Sequence, residues 1–273
     1  MIDTTAPGTP TDPTPFDGVR LGLASLSGEA DAAWARQAAA YADVAFLGGF
    51  ALDANARAAA RELVARNREE CLPPDPLAFV ADQLRALDDA PLRPAINVRS
   101  TTVDPVREAA AVAAEHDAVL EINAHCRQPE LCAVGCGETL LADTERLCEY
   151  VAAASEAGAT TCVKVRAEVP DVDLAHTARR IEAAGADAIH VDAMDSERVV
   201  ADVVDTADLF VIANNEVRDR DSVHEYLGYG ADAVSVGRPS TDPTVLQRVR
   251  IAVDDWFESE SAASVDSLEG GQP

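Results

Sequence analysis

The sequence predicts an α/β protein built as a single (β/α)8 barrel, the TIM barrel, with a disordered tail at each end. Three observations point there. Eight short apolar runs alternate with amphipathic segments along the chain. The length of 273 residues suits one such domain, which typically takes about 250. Three stretches share one grammar: Glu156-Ala-Gly-Ala-Thr-Thr-Cys-Val-Lys-Val, Ala183-Ala-Gly-Ala-Asp-Ala-Ile-His-Val and Gly228-Tyr-Gly-Ala-Asp-Ala-Val-Ser-Val. Each has a helix end, a glycine, a small residue and an apolar strand. Gly158, Gly185 and Gly230 are placed to cap helices in the left-handed conformation before short loops. Eight such units favour a closed barrel over an open doubly wound sheet. No GxGxxG opens a helix, which counts against a dinucleotide fold.

Taken in order, residues 1–16 are rich in Thr, Pro and Asp without periodicity and read as a disordered tail. The barrel then occupies 17–257. Its strands are expected at Val19–Ala24, Val44–Leu47, Pro94–Val98, Ala118–Ile122, Thr161–Val165, Ala188–Val191, Leu209–Ala213 and Ala233–Val236. Helices are expected at Ala30–Ala42, Ala54–Asn67, Pro76–Leu87, Pro105–His116, Asp143–Ala157, Leu174–Ala184, Glu197–Thr206, Ser222–Leu227 and Pro243–Phe257. From Glu258 to Pro273 the composition turns to Ser, Glu and Gly, a second expected tail.

The formal charge is −26, from 48 Asp plus Glu against 22 Lys plus Arg. Such a field repels DNA and anionic membranes at ordinary ionic strength. Acidity with almost no lysine also suits a protein adapted to molar salt, where the screening length falls to about 3 Å. Six cysteines without a CxxC pair point to a reduced, cytoplasmic setting. No stretch approaches the roughly 18 apolar residues of a membrane helix, and the start lacks a basic-then-apolar signal. The oligomeric state is not legible.

Lys164 is the only lysine in the chain. Its compact ammonium suits an anion formed during reaction, whereas a leftover surface lysine at a strand end is the plainer reading. In a barrel, chemistry gathers on the loops after the carboxyl ends of the strands. That rule places Ser25, Ser27 and Gly28 after the first strand, Asn97 and Arg99 on the third and Asn123, His125 and Cys126 after the fourth. Lys164 and Arg166 lie on the fifth, His190 and Asp192 on the sixth, Asn214 and Asn215 after the seventh, Gly237 and Arg238 after the eighth. Ser235-Val-Gly-Arg-Pro-Ser240 with Asn214-Asn215 is where this fold usually holds a phosphate, unless it is a plain loop. Cys126, beside His125 and Arg127, can donate a proton to a substrate carbon. It can also be an inert thiol, or a metal ligand with Cys132 and Cys136, although that spacing fits no common signature and no metal is expected.

Six segments in order resemble the tRNA-dihydrouridine synthase family of FMN-dependent (β/α)8 barrels. Leu23-Ala-Ser-Leu-Ser-Gly-Glu-Ala-Asp31 is similar to the first-strand flavin motif. Glu121-Ile-Asn-Ala-His-Cys126 and Gly135-Cys-Gly-Glu-Thr-Leu-Leu141 are similar to Ile-Asn-x-x-Cys and Gly-x-Gly-x-x-Leu-Leu. Val163-Lys-Val-Arg166 matches Lys-x-Arg. Val211-Ile-Ala-Asn-Asn-Glu-Val217 and Gly230-Ala-Asp-Ala-Val-Ser-Val-Gly-Arg238 resemble the last two motifs. The resemblance implies FMN as cofactor and NADPH as electron donor. It implies that Lys164 lies by the flavin N1–O2 edge and that Asn214, Asn215, Gly237 and Arg238 hold the phosphate. It implies Cys126 as proton donor to pyrimidine C5, with Arg166 and Asn123 orienting the base and Ser25, Asn97, His190 and Asp192 among the flavin contacts. Asp192-Ala-Met194 stands where the family carries His-x-Arg, and Arg127 stands for its Pro. Only 35 residues follow Arg238, so the family's C-terminal helical domain is expected to be missing. The substrate is thus a uridine of tRNA or a free pyrimidine such as dihydroorotate. A barrel that only binds a phosphate ligand or a partner is the non-enzymatic alternative.

Overall fold

The computed structural model describes residues 15–269. Eight parallel strands close in sequence order: β1 (Leu21–Leu23), β2 (Val44–Ala51), β3 (Arg93–Arg99), β4 (Val119–Asn123), β5 (Thr160–Arg166), β6 (Ala188–Asp192), β7 (Phe210–Asn214) and β8 (Ala233–Val236). β8 pairs with β1 to complete the ring. The helices are α1 (Ala32–Ala38), α2 (Ala54–Ala65), α3 (Pro76–Arg85), α4 (Val103–Glu115), α5 (Pro129–Ala133), α6 (Glu138–Ala142), α7 (Thr144–Glu156), α8 (Leu174–Ala183), α9 (Val199–Val204), α10 (Arg220–Gly228) and α11 (Pro243–Glu269). All eight expected strands and all nine expected helices are present, with shifted ends. No helix among the described residues is long and apolar enough to cross a membrane.

The chain starts its helices largely with aspartate. Asp31, Asp53, Asp75, Asp143, Asp173 and Asp219 each accept a hydrogen bond from a first-turn backbone N–H, where a carboxylate also complements the helix dipole. Gly158, Gly185 and Gly230 do take positive φ (87°, 102° and 91°) at the helix ends, as the repeat predicts. The structure gives the rest of that repeat a reason. Asp187 accepts the Thr161 N–H (2.8 Å) and Asp232 the Val211 N–H (2.7 Å), so each aspartate caps the start of the strand before its own. Asp43 does the same for Leu21 (2.8 Å), and its carboxylate also takes Arg250 (3.0 Å).

Two expectations about the ends change. Positions 1–14 of the expected N-terminal tail lie outside the described residues, but Phe16 is buried against the barrel floor and stacks on Phe210. The C-terminal segment from Glu258 is helical to Glu269, as a continuation of α11. Its Ser, Ala and Glu run reads as low complexity, yet Ala and Glu are good helix formers once a helix is already running into them.

The barrel interior changes character with height. Val119, Cys162, Ala188, Ile212, Ala233 and Ala95 form an apolar floor. Strand side chains alternate, so the residue two positions on faces the same interior. That puts Asn97, Glu121, Lys164, His190, Asn214 and Ser235 in a second level, and Arg99, Asn123, Arg166, Asp192 and Gly237 at the mouth. A floor that excludes water therefore carries a polar level directly above it.

Candidate active site

Lys164 is 2 % exposed, and among the described residues no hydrogen bond or ion pair reaches its side-chain ammonium, whose tip is not fully enclosed and opens toward the mouth. The surface-lysine reading is thus overturned. A buried cation without a direct partner is costly unless an anion comes to it. The nearest acidic influence is Glu121, fully buried on β4. Burial pushes the Glu121 carboxyl upward; the His190 ring, Lys164 and the Asn97 amide outweigh it and hold the carboxylate below its usual range. Glu121 Oε2 accepts from His190 Nδ1 (2.6 Å), and His190 Nε2 meets Ser235 Oγ at 2.7 Å. Burial and then the Lys164 charge keep the His190 ring neutral, so Nε2 accepts the Ser235 hydroxyl proton.

His190 and Asn97, expected among the flavin contacts, are both fully buried with their polar atoms engaged inside the protein. Their place is in the scaffold below the mouth. Asn123 is similarly committed: its Nδ2 donates to Asn97 Oδ1 (2.8 Å) and its Oδ1 accepts the Cys126 backbone N–H (3.2 Å). It supports the cysteine loop, so the role of orienting a base passes from it. Glu121 and Ser235 each open a quoted sequence segment but have no role of their own there, although a lone Glu inside a five-residue apolar strand is a signal of a special interior.

At the mouth, two arginines are anchored by partners that the sequence does not announce. Arg99 pairs with Glu70 (2.6 Å) from the segment between α2 and α3 and donates to Ser27 Oγ (2.8 Å). Arg166 pairs with Glu138 (2.6 Å) at the start of α6. His125 sits on the rim, with its own burial first and then Lys164, Arg99, His190 and Arg166 holding its imidazole neutral far below the ordinary 6.5. Asp192 keeps a buried carboxylate oxygen, Oδ1, with no hydrogen-bond partner. Ser25, partly exposed after β1, has no hydrogen bond of its own in the structure.

Cys126 is partly exposed at the mouth, on a loop that folds as the two short helices α5 and α6. Its carbonyl accepts the Glu138 N–H (2.9 Å) and the Cys132 thiol (3.4 Å), while the Cys136 thiol turns to the Ser100 carbonyl (3.4 Å). The Cys132 and Cys136 sulfurs thus turn to two different backbone carbonyls, and no cluster of three potential metal ligands occurs among the described residues. Gly137, at φ 61°, lets α6 begin against Cys126; a Cβ there would collide with the Cys126 carbonyl. Gly137→Ala is expected to destabilise the fold by about 2 kcal/mol, from backbone strain and the forced shift. It should also move the Cys126 loop. Urea unfolding checks the first and alkylation of Cys126, followed by mass spectrometry, the second.

After β7 and β8, Asn214 Nδ2 donates to the Ser235 carbonyl (3.0 Å), tying the two strand ends together. Asn215 (φ 112°) and Glu216 (φ 50°) form a turn held by Tyr226, whose hydroxyl donates to the Asn215 carbonyl (3.1 Å). A Cβ added at Gly237 would meet nothing within 4 Å, so the space over β8 is open. The Arg238 guanidinium is exposed and makes no hydrogen bond among the described residues.

The neutral histidines make stability depend on pH. His125 and His190 resist protonation when folded but take protons near 6.5 once unfolded. The unfolded state then binds more protons below that value, so stability is present above it and is lost as pH falls. Glu121, depressed when folded, acts in the same direction at lower pH. The urea midpoint is expected to drop between pH 7 and 5 at constant salt, and to drop less in His125→Asn.

The chain is a (β/α)8 barrel with a cation-bearing mouth at the carboxyl ends of its strands, the end where such barrels place their chemistry. Residues 82–265 match the sequence profile of the dihydrouridine synthase (Dus) family, and the chain belongs to that family of oxidoreductases. It is 26 % identical over 228 residues to an uncharacterized protein of Methanocaldococcus jannaschii, covering 79 % of this chain and 87 % of the relative. Among solved structures, the tryptophan synthase complex of Pyrococcus furiosus superposes with a TM-score of 0.55 at 13 % identity, over 89 % of this chain and 98 % of that one. A FabK variant of Thermotoga maritima gives 0.54 at 13 %, over 82 % and 62 %. These two likenesses show the fold alone.

Proposed function

We propose that this protein is an FMN-dependent oxidoreductase that reduces the C5=C6 bond of a uridine in tRNA, with NADPH as electron source and Cys126 as proton donor. The observation that carries the reading is Lys164, an ammonium just below the mouth with no anion in contact among the described residues. The residues present fit FMN. Lys164 would face the electron-rich edge of the ring system, where positive charge arranged beforehand favours hydride departure. The open space over Gly237, the backbone around Asn214 and Asn215, and the free guanidinium of Arg238 would take the phosphate. Asp192 offers an unpaired acceptor suited to a ribityl hydroxyl, as does the Ser25 hydroxyl close to the first strand.

FMN held there would supply the hydride for pyrimidine C6. Cys126 supplies the proton to C5, so the base gains two electrons and two hydrogens. His125, held neutral, does not add charge beside the thiol. Arg166, fixed by Glu138, presents its remaining N–H groups to the carbonyl edge of the base. A second reading, reduction or oxidation of a free pyrimidine, is favoured by the net charge of −26, which opposes approach of an RNA backbone.

The test is to load the purified protein with FMN in molar KCl and supply NADPH with either tRNA lacking dihydrouridine or free pyrimidines. Dihydrouridine appearing in the tRNA supports the first reading, and turnover of free pyrimidine alone supports the second. Protein that does not retain FMN overturns both.

A further inference from the structure

We infer that Glu121 is a positioning residue whose buried charge decides which way the Asn97 and Asn123 amides face, and so holds the backbone that presents Cys126. A carboxylate can only accept hydrogen bonds. Asn97 must therefore turn its Nδ2 to Glu121 Oε1 (2.6 Å), which leaves its Oδ1 for the next residue up. Asn123 meets that oxygen with its own Nδ2 (2.8 Å) and turns its Oδ1 to the backbone N–H groups of Cys126 (3.2 Å) and His125 (3.4 Å). Each amide is set by the one below. The row is fixed at both ends, since Glu121 can only accept and the Cys126 and His125 N–H groups can only donate, and among its side chains Glu121 alone cannot exchange one role for the other.

The other carboxylate oxygen is held as well. Glu121 Oε2 accepts from His190 Nδ1 (2.6 Å) and faces the Cys162 thiol at 3.8 Å, which stops the carboxylate from rotating away from Asn97. Asn97, Glu121 and His190 are fully buried, and a lost partner there is not replaced by bulk water. Glu121→Gln keeps the shape but gains a donor. Once its Nε2 turns to Asn97, Asn97 turns over and Asn123 follows. The Asn123 Nδ2 then confronts the Cys126 N–H, donor against donor, and that bond is lost. The functional meaning of this row rests on the reading of Cys126 as the acid; the geometry of the row does not.

Backbone amide exchange, measured on cofactor-free protein, tests it. In Glu121→Gln and in Asn97→Ala the Cys126 amide is expected to exchange at least tenfold faster than in the wild type. The Ala124 amide, bonded to the Lys164 carbonyl (2.8 Å) outside the row, should keep its rate. The double variant should match Asn97→Ala alone, because Glu121 acts through Asn97. Wild-type exchange at Cys126 in both single variants, or additive acceleration in the double one, overturns the inference. Should Glu121→Gln fail to fold, Asn97→Ala decides it, since that change breaks the row without touching the charge. A failure of the flavin reading shows itself separately, as loss of FMN retention, and leaves this result standing.

Discussion

Replacing Lys164 by alanine is expected to slow the reduction of bound FMN by NADPH at least a hundredfold. Removing one preorganised charge aimed at a developing anion costs about 3 kcal/mol in comparable sites. Here the loss should be near the upper part of that range. Lys164 is 2 % exposed, the apolar floor closes the side below it, and no anion among the described residues neutralises it by direct contact. Arg99 and Arg166 stand at the mouth but are tied to Glu70 and Glu138, so neither is free to move inward. Stopped-flow reduction at the flavin absorbance band gives the rate, and a rate equal to the wild type's would remove Lys164 from its assigned place. Lys164→Arg should rescue poorly, because a planar fork does not occupy the position of a compact ammonium.

Cys126→Ala is expected to separate the two halves of the reaction. The variant should retain FMN and accept hydride from NADPH at the wild-type rate, since among the described residues the thiol makes no hydrogen bond to Lys164, Asn214, Asn215 or Arg238. Reduction of the pyrimidine should fall by about 10²–10⁴, the usual loss when a positioned acid is removed. Undiminished substrate reduction would move the proton donor elsewhere. A pre-steady-state experiment in which flavin is reduced first and substrate added second reads the two halves in turn.

Much of the fold is legible because each strand is an apolar run covered on both sides, and each of Gly158, Gly185 and Gly230 marks a chain reversal. The five-residue helices α5 and α6 are not legible. They are shorter than the periodicity needed to announce a helix, and they form because Gly137 and the Cys126 carbonyl lock them in place. At the site, strand alternation puts Lys164 and Arg166 on one interior face, and both side chains are buried there. The same alternation assigns His190 to the interior but cannot say that its ring is fully occupied by Glu121 and Ser235, since those partners lie 69 and 45 residues away in sequence. Arg99–Glu70 and Arg166–Glu138 are hidden for the same reason, with separations of 29 and 28. Charge pairing between loops is decided by closure of the ring, which local pattern does not contain.

A chain with one lysine, enclosed at the heart of the barrel, carries a built-in spectroscopic handle. Feeding the expression host lysine enriched with nitrogen-15 would place one side-chain resonance in the whole spectrum, at the spot where a flavin is expected to dock. Succinimidyl dyes, which need an accessible amine, are expected to label that side chain far more slowly in the folded protein than after unfolding.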